Sequence, residues 1–144
     1  MTPGIHLTKI WFDNDVVEFE IRSSDGRSLF LNEAYVGHQS LNDLIEGLST
    51  FKHHVHGGIY DIAFGSFGPE YAGGSFLARL HFQPPGKILV TVKGQSDFKE
   101  FGMKTVASEA TLFMWTEPIL LDNFISELKS LASGKRDDAH LEAA

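Results

Sequence analysis

Apolar and polar residues alternate most clearly between residues 75 and 116. Every second position is apolar from 75 to 83 and again from 88 to 92, which predicts two β-strands that each have one apolar face. Pro84–Gly86 lies between them and predicts a turn, because proline fixes φ and glycine permits positive φ. A third strand is predicted from Thr105 to Trp115. Its end, Leu112 to Trp115, is apolar on both faces, so we expect a helix to cover one face and loops or a partner the other.

An amphipathic helix is predicted after this strand. Pro118 fits its first turn, Thr116 or Glu117 could cap it, and Gly134 is a plausible end. The apolar residues at helical spacing are Leu121, Phe124, Ile125, Leu128 and Leu131.

The N-terminal half predicts three strands and a second helix. The strands are expected at Ile5–Asp13, Val17–Arg22 and Ser28–Val36, and the middle one places Glu18 and Glu20 on its outer face. An Asp-Gly turn at 25–26 would close the hairpin between the second and third strands. The helix is predicted over 41–51 with Ser40 as its cap. A further strand at 59–67 and a glycine-rich, mobile surface loop at 65–74 should follow.

The two predicted helices share one spacing of apolar residues. Leu41, Leu44, Ile45, Leu48 and Phe51 match the later stripe position for position. A degenerate β-β-β-α repeat would explain this match. Any two helices that pack on a sheet can converge on the same stripe, however, and the strands share no matching letters, so we favour convergence.

These elements predict an α+β fold. We expect one antiparallel, twisted sheet of about six or seven strands with two amphipathic helices packed on one face. Residues 1–134 should form a single domain, and 135–144 a disordered tail, since that segment is charged and aperiodic. The last four residues could derive from an expression vector.

Composition narrows the classes of function. The chain has 144 residues, a net charge of −7 and no cysteine, which excludes disulfides and thiolate metal sites. No secretion signal and no membrane-spanning run is visible, so we predict a soluble cytoplasmic protein. The negative charge argues against nucleic-acid binding and fits a basic protein partner. The charge could also serve solubility alone.

Three histidines close together raise the possibility of a metal site. His53, His54 and His56 could supply imidazole ligands to zinc or nickel. The nearest acid, Asp61, is separated from them by two glycines, and histidines near a helix C-terminus are favourable on their own. We therefore predict no metal and no cofactor, and keep these histidines as weak candidates.

Candidate partner-binding residues lie on one strand and in one loop. Glu18 and Glu20 give the second strand an acidic face, and Phe98 and Phe101 stand among charged residues in the loop 94–103. Apolar residues within a charged rim are typical of protein interfaces. Both phenylalanines could instead complete the core beneath the loop. Ser66 lacks the strand–turn–helix setting of a catalytic nucleophile, and we predict no catalytic residues.

Five segments of the chain together form a recognisable pattern. They are Leu41–Phe51, Phe76-Leu77-Ala78-Arg79-Leu80-His81-Phe82, Ile88-Leu89-Val90-Thr91-Val92, Ala110-Thr111-Leu112 and Leu121–Leu131. At the level of this pattern, residues 17–131 resemble a group of small uncharacterised bacterial domains. Many members of that group occur as candidate immunity proteins beside polymorphic or contact-delivered toxins. The resemblance implies no specific functional residues.

The leading expectation is therefore a non-enzymatic, cytoplasmic protein-binding domain. The resemblance implies an immunity protein that binds a cognate toxin and covers part of the toxin's surface. The bound toxin domain could be basic. The alternatives are a small-ligand-binding or enzymatic α+β domain with a pocket between sheet and helices, and a homo-oligomeric structural module. The sequence is compatible with a monomer or a homodimer.

Overall fold

The computed structural model describes residues 2–68 and 73–144. The helices are α1 (His38–Phe51) and α2 (Pro118–Ala132). The strands are β1 (Gly4–Phe12), β2 (Val16–Ser24), β3 (Leu29–Gly37), β4 (Ile59–Phe64), β5 (Ser75–Gln83), β6 (Lys87–Gln95), β7 (Lys99–Phe101), β8 (Lys104–Val106), β9 (Glu109–Thr116) and β10 (Asp138–Glu142). Part of the glycine-rich loop predicted at 65–74 lies outside the described residues.

The strands form two main antiparallel sheets. The first has the order β10-β1-β2-β3, the second has the order β4-β5-β6-β9, and β7 and β8 pair in a hairpin of their own. The α+β class with antiparallel strands and two helices is confirmed. The prediction of one sheet of six or seven strands was wrong, because alternation shows which side chains point inward but not which strands pair.

The C-terminal segment is a strand. It was predicted to be disordered, yet β10 pairs along β1 from Gly4 opposite Glu142 to Thr8 opposite Asp138. Ala139 and Leu141 are buried in the core. The prediction failed because charged residues in this short segment mask an alternation of polar and apolar positions.

Both helices bury the stripes that the sequence predicts, and the buried side chains form one continuous core. The rings of Phe19 in the first sheet and Phe64 in the second lie 6.1 Å apart. The ring of Phe51 in α1 packs against that of Phe82 in the second sheet, with 4.9 Å between their centroids. The two sheets and the helices therefore share their apolar interior.

The helix ends match the predictions in part. Gly134 has a φ of 79° after α2, and the Lys135 N–H donates to the Ser130 carbonyl at 2.9 Å, which is the bond of a Schellman motif. Pro118 occupies the first turn of α2. The predicted cap at Ser40 was wrong, because α1 begins at His38, three residues before the predicted start at Leu41, and Gly37 is its N-cap.

The two halves of the chain correspond in strand order and register. Strands β1, β2 and β3 of the first half correspond to β5, β6 and β9 of the second. Gly4 of β1 faces Ser24 of β2, and at the equivalent position Ser75 of β5 faces Gln95 of β6. At the other end of the matching hairpins, Val17 faces Val36 as Ile88 faces Thr116. The burial patterns of β3 and β9 are the same over eight residues. The match therefore extends beyond the helices and supports an internal repeat over convergence of the two helices.

One insertion breaks this correspondence. In the first half a short turn, residues 25–28, joins β2 to β3, whereas the equivalent strands β6 and β9 are separated by residues 96–108. The β7–β8 hairpin occupies this insertion. A loop was predicted at 94–103, and the strand predicted from Thr105 was wrong at its start, because β9 begins at Glu109. The inserted segment is thus a feature of the second half alone.

Candidate functional site

Three carboxylates share the outer face of the first sheet. Alternation along β2 places Glu18 and Glu20 outward, as predicted, and Glu33 of β3 lies directly opposite Glu20. Like charges on facing positions repel each other. This row is therefore an acidic patch that would be stabilised by a cation.

Glu33 shows the effect of this crowding. Its pKa is raised above its ordinary value, first by partial desolvation and then by repulsion from Glu18, Glu20 and Asp97. Asp97 belongs to the segment that follows β6, so acids from both halves of the chain act on one carboxyl group.

A groove of about 610 Å³ lies where these elements meet. We call it the acidic groove. Glu18, Glu33 and Asp97 line it together with Lys99, the first residue of β7. The structure thus brings together two features that the sequence predicts separately, the acidic strand face and the loop after β6. The other lining residues are Leu31, Asn32, Tyr35, Gly73, Gly74 and Ser96.

The β7–β8 hairpin extends from this groove with an apolar tip. Phe101 is 79% exposed and Met103 is fully exposed. Gly102 between them has a φ of 68°, which a two-residue type II′ turn requires at its first position. Phe98 is half-buried just before β7. The tip residue Phe101 is therefore a surface residue and does not complete the core.

Sequence reasoning missed part of this site. Glu33 and Asp97 join the predicted Glu18 and Glu20, and an aromatic pair, Trp11 and Tyr35, packs edge to face with 6.3 Å between ring centroids. The outward alternation of residues 31, 33 and 35 could have shown Glu33. Asp97 approaches Glu33 only because the two sheets pack together where β3 meets the end of β6, which leaves no local signal.

The three candidate histidines lie apart from this site. His53, His54 and His56 are exposed in the connection between α1 and β4. Among residues 2–68 and 73–144, no three His, Asp or Glu side chains are grouped so that they could hold a metal ion. Ser66 is exposed in the connection after β4.

A second surface groove, of about 880 Å³, lies at the opposite turns of the second sheet. Its lining is mainly apolar and includes Phe82, Pro84, Pro85 and Pro118. The side chains of His56 and His81 also line it. It lies where the β5–β6 turn meets the start of α2, whereas the alternative ligand-binding function was expected to use a pocket between sheet and helices.

Phe113 and Trp115 lie on the outer face of the second sheet. They are 62% and 44% exposed, respectively, while Leu112 and Met114 point into the core. Loops or a partner were expected to cover this side of the strand. Within the described residues the chain leaves both rings substantially open to solvent.

Comparison with known proteins adds no relative. No protein-family model, curated protein or solved structure matches the chain. Among the described residues, no helix is both long and apolar enough to cross a membrane.

Proposed function

We propose that this protein binds another protein through the acidic groove and the tip of the β7–β8 hairpin. The observation that carries the proposal is the exposure of Phe101 and Met103 on an insertion whose first strand begins at the groove wall. Two large apolar side chains held in solvent cost free energy unless a partner buries them.

The charges of the groove indicate the chemistry of the partner. Among the described residues that line the groove, Lys99 alone opposes Glu18, Glu33 and Asp97, and the whole chain carries a charge of −7. A basic segment with a lysine or arginine beside an apolar residue would fit both parts of the surface. Complementary charge would also speed association at low salt.

The resemblance described above supports a more specific proposal. The protein acts in the cytoplasm as an immunity protein and covers the surface of a basic toxin domain. The ligand-binding or enzymatic alternative has weaker support, because the largest of the grooves described above is open and mainly apolar.

The test uses the product of the gene adjacent to that of this protein. The two purified proteins should form a complex that weakens as salt rises, and expression of this protein should protect cells from the adjacent product. The double variants Glu18→Gln/Glu33→Gln and Phe101→Ser/Met103→Ser should each weaken binding by about tenfold or more, equal to about 1.4 kcal/mol.

Matched variants elsewhere on the surface serve as controls. Asp43→Asn/Glu46→Gln removes two charges from the exposed side of α1, and Ile119→Ser removes an exposed apolar residue from α2. Both controls should bind as the wild type does. Absence of both a complex and growth protection would contradict the immunity proposal.

A further inference from the structure

Strand β9 is an open edge of the second sheet. It pairs with β6 on one side, and the direction of its backbone groups follows from two hydrogen bonds. The Ser108 carbonyl, just before β9, accepts the Ser96 N–H, whereas the Trp115 carbonyl accepts the Ala144 N–H from the opposite side. Because this direction alternates along an antiparallel strand, the backbone groups of Thr111 and Phe113 also point away from β6.

These outward groups are available for pairing. In the described part of the chain, the N–H and C=O groups of Thr111 and Phe113 make no hydrogen bond to another element. The bond from Ala144 to Trp115 is 2.7 Å long. This bond shows that Ala144 of the same chain occupies the Trp115 end of the edge, so the free part of the edge is Thr111 to Phe113.

The sequence of β9 does not protect this edge. Residues 110–116, ATLFMWT, contain no charge, no proline and no glycine, and they favour β structure. Each of the other three sheet edges carries acidic residues, among them Glu33 on β3, Asp61 on β4 and Asp138 on β10. Charge on an edge strand is a common barrier to self-pairing, and β9 lacks it over these seven residues.

We propose that β9 pairs antiparallel with β9 of a second copy of this chain. In the proposed register, Leu112 of one molecule lies opposite Leu112 of the other. Thr111 of each molecule then lies opposite Phe113 of the other. About four hydrogen bonds then join two four-stranded sheets into one. The exposed Phe113 and Trp115 rings extend the outer faces of both sheets across the junction. The contact is two-fold symmetric and closes on itself, so it gives a dimer and no chain of molecules.

The lack of charge on residues 110–116 makes this edge the place where a second copy can approach. Each molecule carries −7 overall, so two copies repel each other over acidic surfaces such as the row of Glu18, Glu20 and Glu33. The uncharged segment of β9 allows close approach without placing like charges together. Antiparallel pairing of identical strands also matches Thr111 with Phe113 at both ends of the junction.

Sedimentation velocity of the full chain, from about 1 μM to about 200 μM, tests this proposal. The expected result is a shift towards twice the 16.0 kDa mass as concentration rises. Phe113→Lys should weaken the shift, because the lysines of the two copies would be diagonal neighbours on the outer face of the joined sheet, where like charges repel each other. Thr111→Pro should abolish it, because it removes an outward N–H while the bonds to β6 remain.

Two lysine variants locate the contact. Leu31→Lys lies on the edge strand β3, and Ile59→Lys lies on the far side of the second sheet; both positions are about half exposed. Both variants should still dimerise. A monomer at every concentration would overturn the proposal, and so would loss of the dimer in Leu31→Lys or Ile59→Lys, because the contact would then lie elsewhere. Circular dichroism should confirm that each variant is folded.

Discussion

At the scale of single residues, Asn32 joins the two sheets. It is buried on β3, and its Nδ2 donates to the carbonyls of Ser75 and Gln95 at 2.9 and 3.2 Å. Glycines permit the approach of the sheets at this seam. A Cβ at Gly94 would lie 2.7 Å from the Phe30 ring, and one at Gly74 would collide with the Glu33 carbonyl.

Asn32→Asp should therefore destabilise the protein strongly. The change replaces a buried donor of two hydrogen bonds by a carboxylate that faces two carbonyl oxygens. We expect a loss of about 3 kcal/mol in the free energy of unfolding at neutral pH. The loss should shrink in acid, where the carboxyl group binds a proton and can donate again. Urea unfolding measures both effects, and the exposed Asn42→Asp serves as control. Equal stability of Asn32→Asp and wild type would contradict this role.

Glu33→Gln should stabilise the protein in a pH-dependent way. The pKa of Glu33 is raised in the folded state, so the ionised form is disfavoured there. Stability from this group is present below its ordinary pKa of 4.5 and is lost as pH rises through the higher folded value. The variant should thus melt at a slightly higher temperature than wild type at pH 7, and at the same temperature well below pH 4.5. A stabilisation that persists unchanged in acid would refute the electrostatic explanation.

At the scale of elements, β10 fastens the end of the chain to its beginning. Leu141 is 1% exposed and faces Ile5 across the pair with β1. Asp138 adds a hydrogen bond with the His6 ring at 2.9 Å. The pKa of Asp138 is lowered by His6 and then by Arg136, so this contact weakens as pH falls through the folded pKa.

Leu141→Ala should lower the free energy of unfolding by about 2–4 kcal/mol, because it leaves a cavity in the shared core. Urea unfolding at neutral pH measures the loss. Glu142→Ala, next to it but exposed, should have little effect. A wild-type midpoint for Leu141→Ala would mean that β10 does not belong to the folded core.

The elements also show how far sequence reasoning reaches. Both apolar helix stripes and the outward position of Glu18 and Glu20 follow from periodicity alone. The pairing of β10 with β1 does not, since it depends on residues at opposite ends of the chain. Strands of three residues such as β7 are too short for alternation to reveal. The groove depends on the packing of β3 in the first sheet against the end of β6 in the second, so only its separate components could be predicted.

At the scale of the whole molecule, two similar halves carry different surfaces. The outer face of the first sheet is acidic around Glu20 and Glu33, whereas that of the second presents Phe113 and Trp115. The hairpin insertion adds an apolar tip to one half alone. Because the core explains what the halves share, the proposed binding surface lies on the features in which they differ.

The inserted hairpin can be removed by copying the other half. Residues 96–108 would be replaced by the turn Asp25-Gly26-Arg27-Ser28, which joins the equivalent strands β2 and β3. Gln95 pairs with Glu109 where β6 and β9 meet the insertion, just as Ser24 pairs with Leu29 where β2 and β3 meet their turn. The shorter turn should therefore keep the register between β6 and β9. The shortened protein should therefore fold with a thermal midpoint close to that of wild type.

The most direct test of the binding proposal is calorimetric titration of the adjacent gene product into this shortened protein and into wild type. Binding to wild type, with a loss of about tenfold or more in affinity when the hairpin is replaced, is the predicted result. Equal affinity for the two folded proteins would contradict the central claim that the hairpin and the acidic groove form the binding surface.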